Sequence, residues 1–414
     1  MRIAFFVNKF PSTSETFILN QITGLLDKGH TVDIYAHYRN RKTKIHPVIK
    51  EYKLLNKCHY LCWEVNDPWY KKIEMFKLAF FNTIKNPYQM LRYFKCCIKE
   101  REFLNLKYLQ AISHFSGKKE KYDILCCHFG QVGMMGVLLK DTKCISGKVI
   151  TFFHGNDISQ YIDEKGEKIY NYLFENGDLF LPISQYWKEK LIRLGCNPQK
   201  IIVHRMGVNP ETLKKSINKA DNREKITILT VGRLVEKKGI YFGIQAVANL
   251  IEKYPQYPIE YLIIGNGPLE NSLRLLIKER DVEANVKLLG AKTQDKVKEY
   301  LETADIFLAP SITSKKGDKE GIPVSIMEAM AMELPIVTTK HSGIHELVQD
   351  SISGFLVNEK DINALEEKIL YLIENPDVSR VIGKQGRNFV EENYNINRLN
   401  NKLEKIFLNQ KKKH

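Results

Sequence analysis

The chain has 414 residues, enough for two domains that each bury their own core, and a formal charge of +15 that favours an anionic partner: nucleic acid, acidic lipid or a phosphorylated small molecule. Its eight cysteines all precede residue 200 and form no CxxC pair, which argues against zinc and thioredoxin-like sites and for a reduced, cytosolic chain. The opening MRIAFFVNKF is too short an apolar run for a signal peptide and no window reaches transmembrane length, so a soluble or at most peripheral protein is expected.

In chain order, RIAFFV and TVDIYAH (31–37) read as buried strands flanking a helix over 16–28 that ends at Gly29. YDILCCHF (122–129) and KVITFFH (148–154) continue the strands, separated by a helix over 131–140, and DLFLPIS and KIIVHRMGV complete a first domain over 1–208. Residues 68–121 depart from this rhythm. Their aromatics and leucines recur at helical spacing, with Lys and Arg far outnumbering Asp and Glu. They read either as a helical insertion packed on the domain or as a basic, aromatic surface for an anionic membrane. A polar stretch, 209–225, reads as a linker. A second domain over 226–385 follows, in which ITILTVG, IEYLIIGNG, VKLLG, DIFLAPS, LPIVTT and GFLV alternate with helical segments; 386–414 reads as helical. Strands alternating with helices, with glycine at strand ends, predict an α/β protein of two doubly wound, Rossmann-like domains facing across a cleft.

The chemistry-bearing segments fall at strand ends. In GRLVEKKG (232–239), Arg233 and Lys238 supply a planar fork and a point charge suited to a diphosphate. Gly265 and Gly267 in IIGNGPLE allow backbone to approach a nucleotide, or simply make a tight turn. In EGIPVSIMEAM (320–330), Pro323 suits the first position of a helix, so the backbone N–H groups of Ile322, Val324 and Ser325 would form an anion site. Glu320 and Glu328, eight residues apart, lie too far apart for a close acid/base couple and suit hydroxyls at opposite ends of an elongated ligand. In the first half, Ser12 and Glu15 of KFPSTSETF have capping-box spacing, and His154 and Asp157 of TFFHGND follow a strand, as His128 does in CCHFG.

The stretch EGIPVSIMEAMAMELPIVTT, with its E-x7-E spacing, resembles the signature of glycosyltransferase family 4, whose members use the two-domain GT-B fold. GRLVEKKG and IIGNGPL are similar to the family's donor-site segments, and NKFPSTSETFILNQITGLLDKGHTVDIY is similar to the start of its bacterial exopolysaccharide members, including colanic-acid galactosyltransferases. The resemblance covers nearly the whole chain. It implies an acceptor-binding domain over 1–208, a nucleotide-sugar domain over 226–385 and a helix in 386–414 crossing back to the first domain. It implies that Glu328 binds the ribose hydroxyls, that Arg233 and Lys238 hold the diphosphate, and that Glu320 with the backbone of Gly321, Ile322 and Val324 holds sugar and phosphate. Gly265 and Gly267 would lie near the nucleotide, and Gly290, Ala291 and Lys292 near its base. His154, Gly155 and Asp157 match the family's HG-x-D segment, which places His154 near the reacting sugar and Asp157 in the sugar or acceptor pocket, with His128 a second candidate there. The loop with Ser14, Glu15 and Thr16 departs from the glycine pair of many relatives, and is expected to shape an acceptor pocket instead.

The implied activity is retaining, metal-independent transfer of a hexose from a nucleotide diphosphate sugar to a saccharide acceptor, lipid-linked, in exopolysaccharide, capsule or related surface-glycan synthesis. The sequence has no D-x-D, so no metal is expected, and no cofactor beyond the nucleotide-sugar co-substrate. The expected location is the cytoplasm, peripheral to the inner face of the cell membrane. Two other classes compete. A nicotinamide-dependent oxidoreductase wants G-x-G-x-x-G after the first strand, where NKFPSTSET stands. A nucleic-acid-binding protein would account for the charge, yet no such motif occurs and the basic residues spread over both halves.

Overall fold

The computed structural model describes residues 1–12, 15–40, 46–65, 67–118, 120–215 and 225–412. The chain divides into two compact units, one of Met1–Ile183, Trp187–His204 and Asn397–His414, the other of Ser184–Tyr186 and Arg205–Ile396.

The first unit is built on strands β1 (Arg2–Phe10), β2 (Thr31–Arg39), β3 (Cys58–Tyr60), β4 (Glu120–His128), β5 (Ile145–Phe153) and β6 (Leu179–Pro182). They pair in parallel in the order β3-β2-β1-β4-β5-β6. Helices such as Thr16–Asp27 and Gly130–Asp141 make the crossovers and cover the sheet. Ile3 to Val7 of β1 are all buried, which is why RIAFFV is apolar without alternation. After β3 the chain returns to the far side of β1, so the carboxyl ends of β1 and β4 mark a topological switch point.

Two local readings differ from the structure. KIIVHRMGV (200–208) is no strand of the sheet: it makes isolated bridges, Phe180 to Ile201 and Val208 to Asn395, because the chain passes here from one unit to the other. Glu15 is itself the cap residue of the helix Thr16–Asp27 and its side chain makes no cap hydrogen bond, so Ser12 stands three residues ahead of the cap position that the capping-box spacing gave it.

The insertion forms helices Pro68–Lys85, Pro87–Lys99 and Leu106–Phe115. Asp67 and Asn86 cap the first two, each followed by proline. The second buries Met90, Tyr93, Cys96 and Cys97, and the third buries Leu106, Leu109, Ile112 and Phe115. The first, Pro68–Lys85, buries only Asn82.

From Asn397 on, the helix Ile396–Lys412 belongs to the first unit. Glu404 meets Lys28 at 3.1 Å and His30 at 2.9 Å, Lys411 meets Asp123 at 3.1 Å, and Asn400 donates to the Asn20 carbonyl at 3.0 Å. Gly24 makes room for this helix, since a Cβ there would lie 2.0 Å from Asn400 Nδ2.

The second unit repeats the plan with β7 (Ile226–Val231), β8 (Ile259–Ile264), β9 (Val286–Gly290), β10 (Ile306–Ala309), β11 (Ile336–Thr339) and β12 (Phe355–Val357), in the order β12-β11-β10-β7-β8-β9. One core packs helices Ile240–Lys253 and Ile362–Glu374 on the sheet; the other packs Val324–Ala331 with Val390 and Tyr394. Of the stretch read as a linker, residues 216–224 lie outside the described residues.

Candidate functional site

In the second unit the switch point lies between β7 and β10, and the loops leaving the carboxyl ends of these strands build the site. The loops after β7, β8 and β9 lie against one another through their backbones. Gly232 donates to the Ile264 carbonyl at 2.9 Å, Leu234 to Asn266 at 2.9 Å, and Gly265 to Gly290 at 3.0 Å. Gly265 has φ +149° and a Cβ there would lie 1.8 Å from the Gly232 carbonyl oxygen, so no side chain fits.

Beyond Arg233 a short turn, Glu236–Lys238, closes on Gly239 with φ +61° and delivers two lysines to one carboxylate. Lys238 Nζ donates to Glu320 Oε2 at 3.1 Å, and Lys237 Nζ lies 4.0 Å from Oε1 while pairing with Asp318 at 3.0 Å. Glu320 is buried; burial alone would raise its pKa, but Lys238 and Lys237 outweigh that and hold it below the ordinary value. Its Oε1 has no hydrogen-bond partner among the described residues.

A second carboxylate fixes the backbone of Glu320 from behind. The Glu320 N–H donates to His341 Nε2 at 2.9 Å, so that nitrogen is the acceptor and Nδ1 carries the proton, which it gives to Glu359 Oε1 at 2.6 Å. Burial keeps His341 below its ordinary pKa despite Glu359, consistent with this neutral tautomer. Glu359 is anchored in turn by the Thr313 N–H at 2.8 Å and hydroxyl at 3.2 Å, and Ser342 Oγ donates to the Glu320 carbonyl at 2.7 Å. The loop that presents Glu320 is thus held on both sides of its backbone.

The helix after this loop is Val324–Ala331, with Pro323 immediately before it. Pro323 is therefore the cap residue and not the first helical one; Val324 and Ser325 supply first-turn N–H groups, and Ile322 is buried in the core. Glu328 lies one turn into the helix, half-buried. Burial pushes its carboxyl up to about 7, against a hydrogen bond from Gln294 that favours the charged form.

Of the residues read from sequence, the structure brings Lys238, Glu320 and Gly321 into one cluster and places Gly265, Gly267 and Gly290 in the adjoining loops. Arg233 is exposed and outside the ion-pair cluster, and Ala291 and Lys292 are exposed beyond β9. Lys237, Asp318, His341, Ser342 and Glu359 were not singled out from sequence. The doublet in VEKKG and the position of His341 just after the strand LPIVTT were the available signals.

In the first unit, His128 at the end of β4 and His154 just after β5 meet through Nδ1 and Nε2 at 3.1 Å. Phe152 stacks on His128 at 4.7 Å, while Phe17 and Phe129 pack on His154 at 4.8 and 4.6 Å. Burial holds both rings neutral, His154 pushed down to about 3 and His128 well below its ordinary value. His128 is fully enclosed and acts as a partner for His154, whose Nδ1 has no partner among the described residues. Asp157, expected to face a sugar, is instead turned onto backbone. Its carboxylate accepts from the N–H groups of Gly130, His154 and Gly155, each at 3.0 Å, and so staples the loops after β4 and β5. Ser14 lies outside the described residues; Glu15 and Thr16 are half-buried at the start of their helix.

Two Rossmann-like units, one carrying a lysine–carboxylate cluster at the carboxyl ends of its strands, define the GT-B class. The family described as Glycosyltransferase Family 4 matches residues 14–212, and Glycosyl transferases group 1 matches residues 211–389. The chain is 40% identical over 373 residues to the amylovoran biosynthesis glycosyltransferase AmsK of Erwinia amylovora, covering 90% of each chain. It is 36% identical over 416 residues to WcaL of Escherichia coli (strain K12), a glycosyltransferase named for colanic acid biosynthesis, covering 97% of this chain and 98% of that one. Anabaena HepE, solved in complex with UDP, shares the fold with a TM-score of 0.72 at 15% identity, over 99% of this chain and 100% of that one. The chain belongs to the GT-B glycosyltransferases of exopolysaccharide synthesis. That membership displaces the oxidoreductase and nucleic-acid-binding alternatives.

Proposed function

We propose that this glycosyltransferase moves a hexose from a nucleotide diphosphate sugar to a lipid-linked saccharide, with retention of configuration and without a metal or other cofactor, in exopolysaccharide or capsule synthesis at the inner face of the membrane. The observation that carries the donor assignment is Glu320: buried, charge-balanced by Lys238 and Lys237, and with Oε1 left without a hydrogen-bond partner among the described residues. A carboxylate held this way accepts hydrogen bonds from sugar hydroxyls while the neighbouring cations take up the charge of a departing diphosphate.

In this reading Lys238, Arg233 and the first-turn N–H groups of Val324 and Ser325 stabilise the leaving diphosphate, and Glu328 accepts from the ribose. The bond from the anomeric carbon to the phosphate oxygen breaks, the acceptor oxygen bonds to that carbon on the same face, and its proton passes to the departing phosphate oxygen. Glu320, held ionised by Lys238 and Lys237, is assigned as the group that orients the sugar. His154, whose Nδ1 has no hydrogen-bond partner among the described residues, is assigned to sugar recognition. HepE was solved with UDP, which favours a uridine donor as the first to test.

A screen of nucleotide sugars by thermal stabilisation in EDTA, followed by proton NMR of the product formed from the best donor, tests this directly. Stabilisation by one nucleotide sugar and a product of retained configuration are expected. An inverted product, dependence on a divalent ion, or stabilisation by none of the nucleotide sugars would contradict it.

A further inference from the structure

The helix Pro68–Lys85 turns its apolar side chains outward. Trp69, Phe76, Phe80 and Ile84 are 69%, 75%, 54% and 66% exposed, and with the half-buried Ile73 they recur at the spacing of one helix side. The next helix, Pro87–Lys99, buries its other side and exposes Leu91, Phe94 and Ile98, again one side by spacing. A row of exposed apolar side chains along one side of a helix, as each of these two helices carries, marks an interaction surface. By helical position Lys72 and Lys77 border the first stripe and Lys95 and Lys99 the second. Over 68–99 these and other basic residues meet a single acid, Glu74, and none of the four bordering lysines is ion-paired among the described residues. A second copy of the chain would bring the same lysine borders together and be repelled; an acidic bilayer would not. Neither helix is long and apolar enough to cross a membrane.

We propose that the helices Pro68–Lys85 and Pro87–Lys99 form a docking face for an anionic lipid surface, the aromatic and aliphatic stripe entering the boundary between headgroups and acyl chains while the lysines lie on lipid phosphates. This stands on two exposed helices of the first unit and is independent of the reaction proposed above.

Flotation of the full chain with phosphatidylcholine vesicles, with and without phosphatidylglycerol, tests it. Binding at least about tenfold tighter to the anionic vesicles is expected from four lysines near the surface. Phe76→Ser/Phe80→Ser/Ile84→Ser and Lys72→Glu/Lys77→Glu change exposed side chains only, so both should melt like the parent chain while losing about tenfold or more of that binding. Trp69 emission should shift to the blue on vesicle binding. The proposal is overturned if the parent chain does not bind phosphatidylglycerol vesicles, binds both vesicle types equally, or keeps its binding in both variants. It is equally overturned if the serine variant converts a solution dimer to monomer while vesicle binding is unchanged.

Discussion

Replacing Glu328 by Gln isolates the half-buried carboxyl assigned to the ribose. Burial raises its pKa from 4.5 to about 7, so the native state keeps a proton that the unfolded chain releases near 4.5. The sign follows: this group weakens the fold as pH rises from about 4.5 to about 7, and the loss is complete above 7. The shift corresponds to roughly 3 kcal/mol at most, or roughly 6 °C or more in the melting of a unit of this size. Glu328→Gln keeps the shape and cannot ionise, so it should match the parent near pH 4 and melt higher at pH 8. Ribose hydroxyls donate to the ionised form, so UDP binding at pH 7 should release about half a proton from the parent beyond whatever the variant releases. Calorimetry in buffers of different ionisation enthalpy measures that difference, and UDP affinity in the variant should fall about tenfold, the worth of a charge-assisted hydrogen bond. Parallel pH–stability curves for the two proteins, or equal proton release, would refute the assignment.

Three further outcomes follow from the same site. His341→Ala removes the acceptor of the buried Glu320 N–H; a stability loss of about 1–3 kcal/mol and a fall in kcat larger than any rise in KM are expected, with partial rescue by His341→Gln. Equal turnover in His341→Ala would show that the Glu359–His341 pair does not position Glu320. Lys238→Met leaves Glu320 with only the more distant Lys237. The carboxyl then titrates higher, so the stability it contributes, present above its unfolded pKa and lost as pH falls through its folded one, should be lost at a higher pH than in the parent; an unmoved acid limb in the pH–stability curve counts against the pairing. Gly265→Ala drives a Cβ into the Gly232 carbonyl, so a destabilisation of about 3 kcal/mol or more and loss of UDP binding are expected from calorimetry and thermal melts.

The strands of both units were legible because parallel strands covered on both faces are written as apolar runs, IAFFV (3–7) and YLII (261–264) among them. β3 escaped notice: three residues at a half-exposed sheet edge give no such run. The segment 200–208 is as apolar as a strand but makes only isolated bridges where it passes between the units, a distinction that composition does not carry. Glu320, Lys238 and the glycines were legible through their spacing and strand-end positions. His341 and Glu359 were not, since 18 residues separate them and only the parallel pairing of β11 with β12 brings imidazole and carboxylate together at the carboxyl ends of the two strands. Asp157 was found as a residue but its hold on three backbone amides was not legible, because a carboxylate capping amides and one meeting a sugar look identical in sequence.

Hydrogen–deuterium exchange of the full chain, with and without a saturating nucleotide sugar, locates the donor most directly. Slowed exchange is expected at 232–239, 265–267, 290–292 and 320–328, the loops and helix start at the carboxyl ends of the second sheet. Unchanged exchange across these four segments, with protection appearing elsewhere in the chain, would contradict the placement of the donor at Glu320 and its lysines.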